Sequence, residues 1–348
     1  MITRRQSLLY AAGASLFSSM LGLRQAVAES SPATSPWSVG LGARMRLVRG
    51  APLGSPEAPA AGIEIGLEPG FRTYWRMPGS AGVPPVFDWS ASKNLGAVSP
   101  DWPAPKRLEE EGVSVIGYAG DSVVLPLRVT ATDPAKPVEL VLSLTYAACK
   151  TICVPEKGEA SLTLEPGAPE GLYFALIEAA RREVPKRVQP AVLGLERPQA
   201  ARLSLEKDDP SLALSLNLAV GEHVLDIFVE GPENWLFGAP KPIANAGGGE
   251  LRLPLLDHPK WVDRAAEIPF TVTVLTDMRA LETPIRAKAP GGGRRLRHRI
   301  YGRQSRAAAS RERRGREKAR RARPFPQLCG LQDDLRARKG RGCAHFEA

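Results

Sequence analysis

The sequence predicts an all-β protein built from two antiparallel β-sandwiches with one helix between them. The 348-residue chain contains 33 Gly and 32 Pro, which is more than helical proteins carry. Apolar and polar side chains alternate along many short segments, and Pro and Gly separate these segments. We therefore expect sandwiches at 35–168 and 195–288, connected by a helix and linker at 169–194.

Residues 1–28 have the features of an export signal. Arg4 and Arg5 precede an apolar stretch at 8–23, and Ala26-Val27-Ala28 forms an A-x-A cleavage site. The apolar stretch falls short of the roughly 20 residues that a membrane span needs. The first residues also resemble a twin-arginine signal, which leaves the Tat and Sec routes of export equally open. We expect an exported chain with no transmembrane span after cleavage.

Alternating apolar residues predict the strands of the first sandwich. In the first predicted strand, Val39 and Leu41 are expected to share a face with Met45. The predicted strands cover 39–47, 63–67, 113–118, 123–129 and 138–146, with short strands and ordered loops between 71 and 105.

A helix is predicted at 170–184, because one apolar stripe runs along it and Pro185 follows. The stripe consists of Leu172, Tyr173, Leu176, Ala179 and Ala180. A second series of strands is predicted at 203–205, 212–220, 225–229, 251–255 and 270–274. A single extended sheet packed on the first sandwich is the alternative for this second series.

The formal net charge of +10 is concentrated at the end of the chain. Residues 291–348 carry 18 Lys and Arg against 5 Asp and Glu, so the preceding residues have a net charge of −3. The segment at 289–348 is either a disordered basic arm or an out-of-frame extension. It lacks the interleaved aromatic side chains of nucleic-acid-binding segments, and export separates the chain from nucleic acid. We expect no nucleic-acid partner.

The two cysteines of the predicted sandwiches, Cys149 and Cys153, have a C-x3-C spacing. It differs from the C-x2-C of thioredoxin-like helices and from zinc-site spacings. Four extended residues span roughly 13 Å, whereas a disulfide tolerates about 7 Å between Cα atoms. A bridge therefore requires a tight hairpin, with Cys149 ending one strand and Cys153 starting the next. It would be either a structural staple or a reversible dithiol, and Lys150 between the sulfurs would favour a thiolate.

Several motifs accompany the cysteine pair along the first predicted sandwich. The pair follows a strand with Leu125-Pro126, and Val154-Pro155 comes directly after Cys153. The other motifs are Gly70-Phe71-Arg72-Thr73-Tyr74-Trp75-Arg76, Trp102-Pro103-Ala104-Pro105, Gly117-Tyr118-Ala119-Gly120-Asp121 and Leu144-Thr145-Tyr146-Ala147-Ala148-Cys149. Together they resemble the amino-terminal periplasmic domain of DsbD-type thiol:disulfide interchange proteins, in particular the ScsB-like branch. The resemblance covers residues 37–165 and extends more loosely to the second sandwich.

The resemblance implies an immunoglobulin-like sandwich in the periplasm whose Cys149–Cys153 pair exchanges electrons. The donor would be a membrane-embedded protein of DsbD/ScsB type. The clients would be thioredoxin-like proteins, disulfide isomerases or cytochrome c maturation factors. The chain would thus be a protein-disulfide reductase component that needs no cofactor and no metal. Full DsbD-type proteins also carry spanning helices and a C-x2-C motif, which this sequence lacks, so we expect a separate donor.

The resemblance also suggests residues around the sulfurs. Tyr74 and Tyr118 fall where the family has aromatic residues near the site, although a place in the core is an equally good explanation for both. The family has a capping loop with a Phe, whereas this chain has Glu109-Glu110-Glu111-Gly112-Val113 there. The alternative function is a non-catalytic periplasmic binding module whose disulfide is structural.

Overall fold

Short strands make up most of the fold in the computed structural model, which describes residues 32–55, 58–110, 113–197, 199–243, 250–262 and 266–288. The predicted export signal and the basic segment at 289–348 lie outside these residues. The described part contains one α-helix, α1 (Phe174–Arg182), and no helix there is long and apolar enough to span a membrane. In chain order, the strands are β1 (Ser38–Val39), β2 (Ala43–Arg49), β3 (Ala61–Leu67), β4 (Arg72–Gly79), β5 (Val86–Asp88), β6 (Leu95–Pro100), β7 (Lys106–Glu110), β8 (Val113–Ala119), β9 (Ser122–Ala131), β10 (Val138–Cys149), β11 (Cys153–Leu164), β12 (Lys186–Arg187), β13 (Ala201–Ser204), β14 (Ser211–Ser215), β15 (Val224–Glu230), β16 (Leu236–Phe237), β17 (Lys241–Pro242), β18 (Glu250–Asp257), β19 (Glu267–Thr276) and β20 (Ala280–Lys288).

Strands β1–β11 form the first β region, in which two antiparallel sheets enclose one core. One sheet has the order β1-β2-β3-β9-β6, and the other has the order β11-β10-β4-β8-β7, with β5 paired to β10. Side chains from both sheets meet in the core, among them Met45, Ile63, Trp75, Leu125 and Leu142. The pair of facing sheets confirms the expected immunoglobulin-like antiparallel sandwich.

A turn between β1 and β2 interrupts the strand predicted at 39–47. Val39 and Leu41 are consequently 77% and 80% exposed and do not share the buried face. The carboxylate of Glu156 holds this turn, because its Oε1 accepts hydrogen bonds of 2.9 Å from the amides of Leu41 and Gly42. Alternation alone did not reveal the turn, because its residues continue the apolar–polar pattern.

Helix α1 is shorter than the predicted helix at 170–184 and buries a different residue. Ile177 is fully buried against Val124, whereas Leu172 precedes the helix and is 89% exposed. The sheet admits the Ile177 side chain at a glycine: a Cβ atom at Gly62 would lie 3.1 Å from Ile177 Cγ1. The surface of the sheet beneath the helix therefore determines which helix residues are buried.

Strands β13–β20 form the second β region, a sandwich made from one continuous sheet. The strands follow the order β15-β19-β20-β13-β14-β18-β16, with β12 paired to β20 and β17 paired to β18. Phe237 of β16 contacts Phe270 of β19, with ring centroids 5.4 Å apart. This contact shows that the sheet folds back on itself. The strand predicted at 212–220 ends at Ser215, and Val220 is fully exposed.

A buried carboxylate fixes the turns at one end of the second β region. The Glu222 side chain is 0% exposed and accepts hydrogen bonds from Thr276 Oγ1 (2.9 Å), Arg279 Nε (2.7 Å) and the Ala219 amide (3.0 Å). The hydrogen bond from Arg279 is the main reason that the pKa of Glu222 is lowered to about 2, against the opposing effect of desolvation.

We expect Glu222→Gln to lower the free energy of unfolding by about 1 kcal/mol at pH 7, because exposure of Arg279 to solvent screens part of the interaction. The pKa is lower in the folded than in the unfolded chain. The contribution is therefore fully present above about pH 4.5 and is lost as the pH falls towards 2. Urea unfolding at pH 7 and pH 2.5 measures both effects, with the exposed Glu233→Gln as control. Equal stability of Glu222→Gln and the wild type at pH 7 would contradict this prediction.

Candidate redox site

A disulfide between Cys149 and Cys153 closes the β10–β11 hairpin. Cys149 is the last residue of β10, Cys153 is the first residue of β11, and the two are paired in the ladder with Cα atoms 4.0 Å apart. The amide of Lys150 donates a 3.1 Å hydrogen bond to the carbonyl of Ile152, which completes the turn. The geometry confirms the tight hairpin that a bridge at this spacing requires.

The two half-cystines differ in their exposure. Cys149 is 0% exposed and packs against Tyr74 and Ala147. Cys153 is exposed, and its neighbour Ile152 is 72% exposed. An incoming thiol can therefore approach the disulfide from the side of Cys153.

Tyr74 of β4 contacts both sulfurs. Its hydroxyl donates a 2.9 Å hydrogen bond to Cys149 Sγ and lies 3.2 Å from Cys153 Sγ. The residue is 2% exposed, and the segment after β4 crosses its ring, since a Cβ atom at Gly82 would lie 2.8 Å from Tyr74 Cδ1. A buried phenol in this position is a hydrogen-bond donor for any charge that develops on the Cys149 sulfur.

Tyr118, the other expected aromatic neighbour, belongs to the sandwich core. Successive residues of a strand face opposite sides of a sheet, and Gly117 is the residue that pairs with Tyr74. Tyr118 therefore faces inwards, where its hydroxyl donates a 2.8 Å hydrogen bond to the carbonyl of Pro103. Burial raises the pKa of Tyr118 well above its ordinary value. The structure does not bring this residue to the disulfide.

Lys150 lies in the turn between the two cysteines, and its ammonium group is bound to the turn before β4. It donates a 3.2 Å hydrogen bond to the carbonyl of Pro69 and lies 5.9 Å from the centre of the Phe71 ring. Arg72, which the sequence did not single out, stabilises the hairpin turn: it pairs with Cys149, and its Nη2 donates a 2.6 Å hydrogen bond to the Lys150 carbonyl.

Leu108 is a second residue near the site that was not predicted. It lies in β7 and packs on the small apolar cluster around Cys149. Its neighbour Glu109 belongs to the acidic segment at 109–113, where the resemblance led us to expect a capping loop. That segment ends β7 and starts β8, and residues 111 and 112 within it lie outside the described part. The cluster was not predictable, because it depends on which strands become neighbours.

No candidate metal cluster accompanies the disulfide among the residues that the structure describes. Within the described ranges, no group of three or more His, Cys, Asp or Glu side chains is arranged to hold a metal ion. The reactive groups that the structure brings together at this site are the two sulfurs and the Tyr74 hydroxyl.

Comparison with known proteins places this hairpin in a family. Residues 51–165 match the family model for the N-terminal part of the thiol:disulfide interchange protein DsbD. These residues form a DsbD-type N-terminal domain. They include Tyr74, Cys149 and Cys153, so the disulfide lies within the part of the chain that matches a thiol–disulfide interchange family. No curated protein sequence matches the chain.

One solved structure extends the similarity in fold, and a second is similar over a shorter part of the chain. The N-terminal periplasmic domain of ScsB from Proteus mirabilis is 22% identical, with a TM-score of 0.54, and the match covers 74% of this chain and 100% of that domain. The reduced N-terminal domain of Neisseria meningitidis DsbD is 15% identical over 39% of this chain and 87% of that domain, with a TM-score of only 0.20. The similarity to the ScsB domain shows that the two chains share a fold.

Tyr74→Phe removes the hydroxyl that contacts the sulfurs and keeps the volume of the ring. In the reduced protein, we expect the fraction of Cys149 present as thiolate at pH 7 to fall about threefold, because a hydrogen-bond donor to the charged form is lost. The ultraviolet absorbance of the thiolate measures this fraction. Tyr146→Phe, which alters a buried tyrosine on the opposite face of β10, is the matched control. Equal thiolate fractions in the two variants would count against a role for Tyr74.

Proposed function

We propose that this chain is a periplasmic thiol–disulfide interchange protein that carries electrons on Cys149 and Cys153. The donor is a membrane-embedded protein of DsbD/ScsB type, and the clients are thioredoxin-like proteins or disulfide isomerases. The observation that carries the proposal is an exposed Cys153 bonded to a buried Cys149 beneath the Tyr74 hydroxyl. The DsbD-type domain at 51–165 and the predicted export signal support it.

Reduction begins at the exposed sulfur. A thiolate of the donor attacks Cys153 Sγ, a donor–Cys153 disulfide forms, and the Cys149–Cys153 bond breaks. Cys149 leaves as a thiolate, which the Tyr74 hydroxyl stabilises by the hydrogen bond that it already donates to this sulfur. A second thiolate of the donor then attacks the donor sulfur of the mixed disulfide and releases the Cys153 thiolate. Two electrons have moved to this chain, and the donor has become a disulfide.

Delivery to a client repeats these steps in the opposite direction. The Cys153 thiolate attacks the disulfide of the client and forms a mixed disulfide, while one client sulfur leaves as a thiolate. The Cys149 thiolate then attacks Cys153 Sγ, which restores the disulfide and releases the reduced client. Both exchanges take place at Cys153, and Cys149 remains inside the domain throughout.

The size of the closed loop favours exchange over a purely structural role. The stabilisation that a disulfide gives by restricting the unfolded chain grows with the length of its loop, and this loop contains only three residues between the cysteines. The ladder from Val138 to Cys149 already holds the two strands together. The bond therefore adds little to stability, whereas it is well placed for chemistry.

Trapping experiments test the assignment of the two sulfurs. We expect Cys149→Ser to form a stable mixed disulfide with glutathione disulfide through Cys153, and Cys153→Ser to react at least about tenfold more slowly, because Cys149 is buried. Mass spectrometry of the adducts measures both rates. Equal rates for the two variants would contradict attack at Cys153.

A glutathione titration of the wild type separates exchange from a structural staple. Exchange requires a reduction potential between about −180 and −270 mV, whereas a staple stays oxidised below about −300 mV. A reduction potential below about −300 mV would support the alternative that the chain is a binding module with a structural disulfide.

Ile152 beside Cys153 is expected to contact the client during exchange. A protein partner that reaches Cys153 must cover this exposed side chain. Ile152→Asp should therefore slow the oxidation of the reduced chain by a protein disulfide about tenfold. The rate at which dithiothreitol reduces the Cys149–Cys153 disulfide should stay unchanged. Oxidised thioredoxin is the protein probe, and Val220→Asp, at an exposed apolar residue of the second β region, is the control. The prediction fails if Ile152→Asp and Val220→Asp react with thioredoxin at the same rate.

A further inference from the structure

The regular pairing of β4 with β8 is interrupted directly after Tyr74. Strand β4 pairs with β8 at Arg72, Thr73 and Tyr74, and the pairing resumes only at Gly79. On the other side, β10 pairs with β4 at Arg72 alone and then with β5. Residues 75–78 lie in this irregular stretch of the ladder, and their side chains make contacts outside the sheet.

Arg76 provides the strongest of these contacts, and its partners lie in the second β region. Its guanidinium donates hydrogen bonds of 2.8 and 2.6 Å to the carboxylate of Glu230 in β15 and a further one to Glu282 in β20. The side chains of Arg76, Glu230 and Glu282 are only 24%, 22% and 10% exposed. Burial alone would lower the pKa of Arg76, but its bonds and proximity to the two carboxylates raise it.

Trp75 adds an apolar contact to the same junction. It is fully buried and packs on Phe228 of β15, with ring centroids 5.7 Å apart. The Arg76 guanidinium also lies 4.4 Å above the Trp75 ring. Both residues that follow Tyr74 thus contact the second β region: Trp75 contacts β15, and Arg76 contacts β15 and β20.

We propose that the Arg76–Glu230–Glu282 cluster positions Tyr74 at the disulfide, so that the second β region tunes the reduction equilibrium of Cys149 and Cys153. Arg76 is a positioning residue, because it acts through the backbone of β4 and the Tyr74 hydroxyl. The inference rests on the proposed exchange function, since it concerns the equilibrium of the same disulfide.

The direction of the effect follows from the hydrogen bond at Cys149. Tyr74 stabilises the thiolate that appears when the disulfide is reduced. If β4 is released from Glu230 and Glu282, the hydroxyl is held less firmly over the sulfur, and the reduced form loses that stabilisation. The equilibrium with glutathione should then shift towards the disulfide.

Four variants of the full chain test the proposal by glutathione titration. Arg76→Met and the milder Glu230→Gln should lower the equilibrium constant for reduction at least about threefold, in the same direction as Tyr74→Phe. Arg76→Lys, which keeps the charge, should restore part of the loss. Arg46→Met is the control, because it breaks a salt bridge of similar burial with Glu64 in the other sheet of the first β region. Urea unfolding shows that each variant is folded at the temperature of the titration.

The outcomes distinguish this inference from the proposed function. If the wild-type disulfide does not equilibrate with glutathione, the exchange function fails. If the wild type equilibrates and folded Glu230→Gln and Arg76→Met keep its equilibrium constant, the positioning role of Arg76 is overturned. An equal shift in Arg46→Met would also overturn it, because the effect would then follow from lost stability in general.

Discussion

The register of the β10–β11 ladder is the constraint on which the site depends. The ladder runs from Val138 opposite Leu164 to Cys149 opposite Cys153. Because side chains alternate between faces, this register puts the cysteine pair on the outer face of the sheet, whereas Tyr146 faces the core. A shift of one strand by one residue would place the two cysteines on opposite faces of the sheet, where they could not form a disulfide. The same twelve pairs therefore determine that a disulfide forms and that a partner can reach it.

In the exchange that we propose, the unequal burial of the two sulfurs determines the order of the steps. A symmetric, fully exposed disulfide could be attacked at either sulfur, and the mixed disulfide would then form at two positions. Here the apolar cluster around Cys149 and the Tyr74 ring protect one sulfur and leave the other open. The buried cysteine becomes both the leaving group and the resolving group, and its charge develops next to a hydroxyl that is already in place.

Local patterns in the sequence predicted the parts of this site that are local in structure. The alternation along 138–146 predicted β10, and the C-x3-C spacing predicted a tight hairpin if the two cysteines form a bridge. Both predictions depend only on residues that are neighbours in the chain. Tyr74 and Tyr118 could not be told apart, since only the pairing of β4 with β8 shows that they face opposite sides. Arg72 and Leu108 were missed for the same reason: their contact with the cysteine hairpin depends on which distant strands become neighbours.

The charge cluster at Arg76 illustrates how buried ions act on geometry more than on stability. Removing one guanidinium and two carboxylates from water costs free energy that their attraction roughly offsets. The planar guanidinium, however, binds carboxylates in few orientations, so the cluster fixes where β4 lies. The family-matched segment at 51–165 contains Arg76 but neither Glu230 nor Glu282. The second β region therefore contacts β4 next to Tyr74, and under our proposal it influences the redox site although the contacts that reach the sulfurs come from the first region.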